Sequence, residues 1–195
     1  IFVIIGITGA SGAGKSIASE IFNENGFYVI DLDKTAHGIY ETSKECVGEV
    51  AKAFGKNILD ADGRIVRKRL GEIVFADKEK LNILNKITHK YILEKVYAEM
   101  DGRKNVILDA PLLFETGLDK KCDITLGILS ADSLKSARIE KRDSVSEIYA
   151  KNRLARQNGD GFFEENCTFC IRNDGGIDEF KDKIRLFIKN EVNKK

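Results

Sequence analysis

The sequence predicts an α/β fold, a parallel five-stranded sheet flanked by helices, and three observations carry that expectation. The chain opens strand–helix–strand. Three further short apolar runs follow, separated by helical stretches. A glycine-rich segment joins the first strand to the first helix.

The elements read as follows along the chain. Residues 2–8 are a β-branched run that ends in glycines, as a strand buried on both faces does. Residues 15–25 switch to helical spacing, with Ala18, Ile21 and Phe22 on one face and Gly26 as the stop. Residues 27–31 are a second strand. Residues 34–100 are mainly helical, with Leu84, Ile87 and Tyr91 on one face of a long helix. Residues 105–109 and 124–129 are the third and fourth strands. A helix over 132–142 has Ser130 or Asp132 near its N-cap. Residues 143–166 are polar, charged and glycine-containing, and are expected to be mobile. Residues 168–171 form a fifth strand, and Ile177, Phe180, Ile184, Phe187 and Ile188 mark an amphipathic C-terminal helix.

Bulk properties narrow the functional classes. The chain has 195 residues, enough for one ordinary α/β domain with insertions. Lys plus Arg is 32 against Asp plus Glu 31, a net charge of +1. A duplex-coating protein carries a clear basic excess, so nucleic acid is not the expected partner. The apolar opening is too short to span a membrane and lacks a basic leader, so neither a membrane anchor nor a signal peptide is expected. The chain begins on Ile1 rather than Met, which is consistent with a trimmed start. Cys46, Cys122, Cys167 and Cys170 are too few for a disulfide scaffold, and a cytoplasmic enzyme with reduced thiols is expected. The oligomeric state is not legible.

Gly9-Ala10-Ser11-Gly12-Ala13-Gly14-Lys15-Ser16 matches G-x-x-x-x-G-K-[ST] without a mismatch. The glycines let successive backbone N–H groups converge on one anion. The following helix adds its positive end. Lys15 reaches the β- and γ-phosphates of a nucleotide such as ATP, and the Ser16 hydroxyl is a hard oxygen ligand suited to Mg²⁺. The rival reading is a chance glycine-rich turn, but the strand before and the helix after supply the confirming context.

Two strand ends carry carboxylates. Asp31 and Asp33 are two apart, so in extended backbone they project from one face. One is placed to take a proton from an acceptor hydroxyl. An N-cap role is the alternative for Asp33. Asp109 ends the third strand, where a P-loop protein places a Mg²⁺-ordering carboxylate, with a cap again the rival.

With these residues the chain resembles the dephospho-CoA kinase family. The resemblance rests on the loop, then Val29-Ile30-Asp31-Leu32-Asp33 with Ala36, Phe54-Gly55, Asp62-Gly63, Arg67, Leu70 and Val74-Phe75-Ala76-Asp77. It continues through Ile87-Thr88-His89 and Leu108-Asp109-Ala110-Pro111-Leu112-Leu113-Phe114-Glu115 with Gly117-Leu118, to Arg142-Asp143, Arg153, Gln157 and Asn173 with Gly175. It implies a P-loop kinase fold and transfer of the ATP γ-phosphate to the ribose 3′-hydroxyl of dephospho-CoA, the final step of coenzyme A biosynthesis. It implies Asp33 as the base, with Lys15 and Arg142 assisting catalysis. Residues 9–16, Arg142 and Asn173 would hold ATP, and Ser16 and Asp109 the metal. Asp33, Arg67, His89, Pro111, Leu112, Leu113 and Glu115 would line the acceptor side. The implied division is a nucleotide-binding core over 1–33, 104–142 and 167–195, a helical acceptor-binding region over 34–103 and a lid over 143–166.

The chain departs from the family pattern in places. His37 stands where Arg is usual and Lys90 where Pro is usual. Residues 158–166 replace the common M-P-x-x-x-K. For His37 a surface or hydrogen-bonding role is favoured. His89 and Glu115 have structural readings as well, a satisfied histidine and an ion-pair partner. The single Cys167-Thr168-Phe169-Cys170 overlaps an apolar strand and reads as structural. Rival functions are a nucleoside monophosphate kinase, a P-loop switch and an ATP-binding relative without catalysis. The N-K-x-D of a GTPase is absent from the sequence.

Overall fold

The structure, a computed structural model, describes residues 3–192. Strands β1 (Ile4–Thr8), β2 (Tyr28–Asp31), β3 (Val106–Asp109), β4 (Ile124–Leu129) and β5 (Phe169–Arg172) form one sheet. Their order is β2-β3-β1-β4-β5 and every pair is parallel. The expected sheet is therefore present. Phe2, part of the expected first strand, lies outside the described residues. Burial on both faces explains the continuous apolar runs: Ile5 and Ile7 are buried, and so is β4 throughout.

Two compact units divide the chain, residues 1–31 with 102–195, and residues 32–101. In the first, α1 (Lys15–Glu24) and α10 (Ile177–Phe187) cover the sheet. Phe22, Phe180 and Ile184 join Ile5, Ile7 and Leu126 in its core. Ile177 does not: it opens α10 and is exposed, so the buried stripe starts at Phe180. Helices α7 (Asp132–Asp143), α8 (Glu147–Leu154) and α9 (Asp160–Asn166) complete the unit. The polar stretch expected to be mobile thus holds two helices. The Ser146 hydroxyl caps α8 by accepting from the Tyr149 N–H, and the buried side chains Ala150 and Phe163 anchor α8 and α9.

Strand ends differ from the sequence reading for local reasons. Asn105 has φ 54°, outside extended backbone, so β3 starts one residue later. The Thr168 backbone N–H donates to the Thr125 hydroxyl at 2.8 Å instead of joining the ladder, and β5 starts at Phe169. As expected, Ser130 and Asp132 lie beside the N-cap of α7, which is Ala131 between them, and the N-cap's own side chain makes no capping bond. The Asp174 carboxylate accepts from the Ala131 N–H at 2.7 Å and from the Ser130 hydroxyl at 3.0 Å.

The second unit holds α2 (Leu32–His37), α3 (Ile39–Thr42), α4 (Lys44–Phe54), α5 (Arg67–Val74) and α6 (Lys78–Met100). Ile39, Cys46, Val50, Ile58, Leu70, Val74 and Ile87 form its own core. Leu84 and Tyr91 pack against it beside Ile87, the face that their spacing predicts. Asp77 caps α6, accepting from the N–H groups of Glu79 and Lys80 at 2.9 and 3.2 Å.

Candidate active site

The chain leaves β1 toward β2 on one side of the sheet and leaves β4 toward β5 on the other. The carboxyl ends of β1 and β4 therefore part at a topological switch point, where such sheets bind ligands. Residues 9–16 occupy that position. Gly9 has φ 142°, and a Cβ there would stand 2.3 Å from the Ile128 carbonyl oxygen. Gly14 has φ 116°, and its Cβ would stand 2.4 Å from Asn173 Nδ2. Only glycine meets both demands at either position. Lys15 Nζ donates to the carbonyls of Gly9 at 2.7 Å and Ala10 at 3.3 Å, so the ammonium curls over its own loop. Ser16 is exposed on the first turn of α1. A cleft of about 510 Å³ opens beside the loop, lined by Ala10, Ser133, Lys135, Leu154, Gln157 and Asn158 among others.

The loop is braced from behind. Buried Asn173 donates from Nδ2 to the Ala13 carbonyl at 2.7 Å. Arg138 donates from Nη1 to the Gly12 carbonyl and the Ser130 hydroxyl, both at 3.1 Å, and from Nη2 to the Asn173 carbonyl at 2.9 Å. At the tip, the Ser11 N–H donates to Gln157 Oε1 at 2.8 Å while Gln157 Nε2 donates to Ser11 Oγ at 3.0 Å. Lys135 is almost fully buried beneath this region. Burial opposes its charge, but hydrogen bonds to Asp132 at 2.8 Å and Asp160 at 2.9 Å prevail and raise its pKa.

Among the carboxylates, Asp31 and Asp109 pair in register at the ends of β2 and β3. The Ser19 hydroxyl on α1 donates to Asp109 Oδ2 at 2.8 Å. Asp33 is not in extended backbone with Asp31. The strand stops at Asp31 and α2 starts at Leu32, so Asp33 sits, exposed, in the first helical turn and is not the cap.

The segment 111–115 hangs from the end of β3. The Pro111 carbonyl accepts from the Thr8 hydroxyl at 3.3 Å, Leu113 is buried, and Leu112 is exposed. Glu115 Oε1 accepts from Asn158 Nδ2 at 2.9 Å. Arg142, at the end of α7, grips Asp143 with a two-point fork, Nε to Oδ1 at 2.7 Å and Nη2 to Oδ2 at 2.9 Å. The hydrogen bond from Arg142, with the charge of Arg153 added, holds the Asp143 carboxyl below the ordinary carboxylate range.

In the second unit, Arg67 opens α5 and donates to the His37 carbonyl and, at 3.2 Å, to Glu41. His37 and His89 are both exposed, the latter on α6. The structure thus gathers residues 9–16, Asp109, residues 111–115, Arg142 and Asn173 in the first unit, and Asp33, Arg67 and His89 in the second. Among the cysteines, burial pushes the Cys167 thiol up to about 12, and Cys170 adds to the shift. This suits the structural reading of the pair.

Ser19, Arg138, Lys135 and Asp174 were not singled out by sequence. Arg138 and Lys135 sit in a helix of mixed charges with no periodic mark. Lys135 has one partner, Asp132, on its own helix, but Asp160 and the Gly12 and Asn173 carbonyls that Arg138 meets are remote in the chain, and only the fold brings them together.

A braced glycine-rich loop at the switch point of a parallel sheet, with strand-end carboxylates beside it, defines the class of P-loop kinases. Comparison with known proteins narrows the class. The family model for dephospho-CoA kinase matches residues 3–179. A dephospho-CoA kinase of Fusobacterium nucleatum is 37% identical over 188 residues, covering 95% of this chain and 96% of the relative. A solved dephospho-CoA kinase from Campylobacter jejuni superposes with a TM-score of 0.71 at 32% identity, covering 98% of both chains. A solved Thermus thermophilus protein gives a TM-score of 0.80 at 26% identity, again over 98% of both. The chain belongs to the dephospho-CoA kinase family, which uses ATP and Mg²⁺ to phosphorylate dephospho-CoA. The Ser16 hydroxyl and the Asp109 carboxylate are hard oxygen donors, and this donor set fits Mg²⁺. Among the described residues no helix is long and apolar enough to cross a membrane.

Proposed function

We propose that this chain transfers the γ-phosphoryl group of ATP to the ribose 3′-hydroxyl of dephospho-CoA, with the following residue roles. Residues 9–16 cradle the phosphates through converging backbone N–H groups and the positive end of α1. Lys15 leaves its loop carbonyls for the β- and γ-phosphates when nucleotide arrives, offsetting charge that builds during transfer. Asp33 accepts the proton of the attacking hydroxyl as the new O–P bond forms and the bond to the bridging oxygen breaks, releasing ADP. Ser16 and Asp109 would hold Mg²⁺, which neutralises phosphate charge when bound.

Arg67, His89, Pro111, Leu112, Leu113 and Glu115 line the acceptor side. Residues 34–103 serve as the acceptor-binding region. Residues 143–166, with α8 and α9, serve as a lid that excludes water, and Arg142 at its root meets the phosphates. Asn173 contributes to the nucleotide site by shaping the loop through Ala13. A cytoplasmic setting is part of this reading, and four free cysteines fit a reducing compartment.

The observation that carries the proposal is the match of the family model to residues 3–179, which includes a loop whose glycines are sterically required. The test is ADP release, coupled to a reporter reaction, with dephospho-CoA, AMP, shikimate or gluconate as acceptor. Acceptor-dependent ADP is expected with dephospho-CoA alone. Its absence there, or equal turnover with AMP, would overturn the assignment.

A further inference from the structure

One short stretch between α8 and α9 touches two different loops of the first unit through neighbouring side chains. Gln157 holds Ser11 by the reciprocal pair at 2.8 and 3.0 Å. Asn158 holds Glu115 Oε1 at 2.9 Å. A turn later, the Phe162 ring meets the Phe114 ring edge to face, with centroids 5.5 Å apart and planes at 86°. Ser11 belongs to the loop that cradles phosphates. Phe114 and Glu115 belong to the segment proposed to face the acceptor. Asn158 and Phe162 fall in the part of the chain that departs from the family's usual residues.

The bonds differ in kind from the braces behind the loop. Asn173 to Ala13 is buried and fixed, whereas Gln157 is exposed and its bonds compete with water. Such contacts form and open readily. Gln157 and Asn158 are consecutive, so one planar peptide unit links their Cα atoms and both grips stand on the same short segment. A two-point grip also sets the orientation of the Ser11 peptide, whose N–H faces Gln157 while the grip is closed. Asn158 is a neutral donor, so it positions the Glu115 carboxylate without cancelling its charge.

We propose that Gln157, Asn158 and Phe162 are positioning residues, a clasp that couples occupation of the nucleotide loop to occupation of the acceptor-side segment. The inference rests on the reading of Glu115 as an acceptor-side residue. Coupling between two sites is reciprocal and amounts to about fivefold or more in affinity where it operates.

The test is calorimetric titration of dephospho-CoA with and without Mg²⁺ and a non-hydrolysable ATP analogue. Native protein is expected to bind dephospho-CoA at least about fivefold tighter with the analogue present. Asn158→Ala and Gln157→Ala should each bring that ratio to within about twofold of unity. Asn158→Gln, which keeps a neutral amide donor within reach of Glu115, should recover it. The ratio is the informative quantity, since a merely damaged fold lowers both affinities together. A native ratio retained in Asn158→Ala would overturn the clasp, as would a native protein with no ratio at all. Glu115→Ala binding dephospho-CoA as tightly as native protein would instead overturn the acceptor-side reading. The two failures are thereby distinguishable.

Discussion

Asp33 and Asn173 show two ways in which a single polar side chain serves this site. Asp33 stands exposed in the first turn of α2, with its carboxylate presented to solvent. An exposed carboxylate costs little to hold, so its replacement should leave the fold intact and register in chemistry alone. Asp33→Asn removes the proton acceptor and keeps the shape. Its kcat should fall by about a hundredfold to ten-thousandfold, with ATP affinity within about threefold of native. Steady-state kinetics beside nucleotide titration will separate these, and an unchanged kcat would exclude Asp33 as the base. Asn173 is the converse case. It is buried, and its amide is committed to the Ala13 carbonyl. Asn173→Ala strands that carbonyl and opens space behind Gly14, at a cost of about 1–3 kcal/mol. For a chain of this size the melting temperature should fall by about 2–12 °C, read by calorimetry. ATP affinity should fall with it, because the loop loses its brace.

At the scale of elements, α7 illustrates what sequence pattern conveys and what it omits. The helix over 132–142 was legible in the sequence, and it spans Asp132–Asp143. The place of its N-cap, between Ser130 and Asp132, was legible too, but the carboxylate that holds it, Asp174, was not, because it lies beyond β5. A cap drawn from a remote loop leaves no S-x-x-E signature beside the helix. The chemistry of this cap has a pH signature. The backbone hydrogen bond from Ala131 leads in holding the Asp174 carboxyl below the ordinary range, helped by Ser130 and Arg172. The folded state therefore takes up this proton at lower pH than the unfolded state does. The associated stability is present above the unfolded pKa, about 3.9, and is lost as pH falls through the lower, folded value. Asp174→Asn keeps an oxygen acceptor for Ala131 but cannot titrate. It should be less stable than native protein near pH 7, and the gap should close as pH falls below about 4. Urea denaturation at a series of pH values from 7 to about 2 reads this directly; a gap constant with pH would mean that Asp174 carries no depressed pKa.

On the scale of the molecule, legibility followed the range of the interactions. The sheet, its strand count and the phosphate loop were readable because burial on both faces writes continuous apolar runs, and because anion binding demands glycines at fixed spacing. The face of α6 carrying Leu84, Ile87 and Tyr91 was readable by period alone. The helices of 143–166 were not, because α8 and α9 bury few side chains and their packing residues, Ala150 and Phe163, are isolated among charges. Arg138, bridging the Gly12 and Asn173 carbonyls, is a contact that only the assembled sheet creates. The same organisation predicts how nucleotide acts on the whole chain. ATP analogue with Mg²⁺ binds the folded loop and not the unfolded chain, in which the converging amides do not exist. At a hundred times its dissociation constant it should stabilise the protein by about 2.7 kcal/mol, equivalent to about 5–11 °C at this size. Lys15 supplies the one cation of the motif, and in the free protein it rests on the Gly9 and Ala10 carbonyls. Lys15→Ala should therefore melt close to native protein without nucleotide, yet lose most of the shift at the same analogue concentration. Scanning calorimetry of both proteins with and without analogue decides the matter: an equal shift in the two would show that nucleotide binds away from this loop.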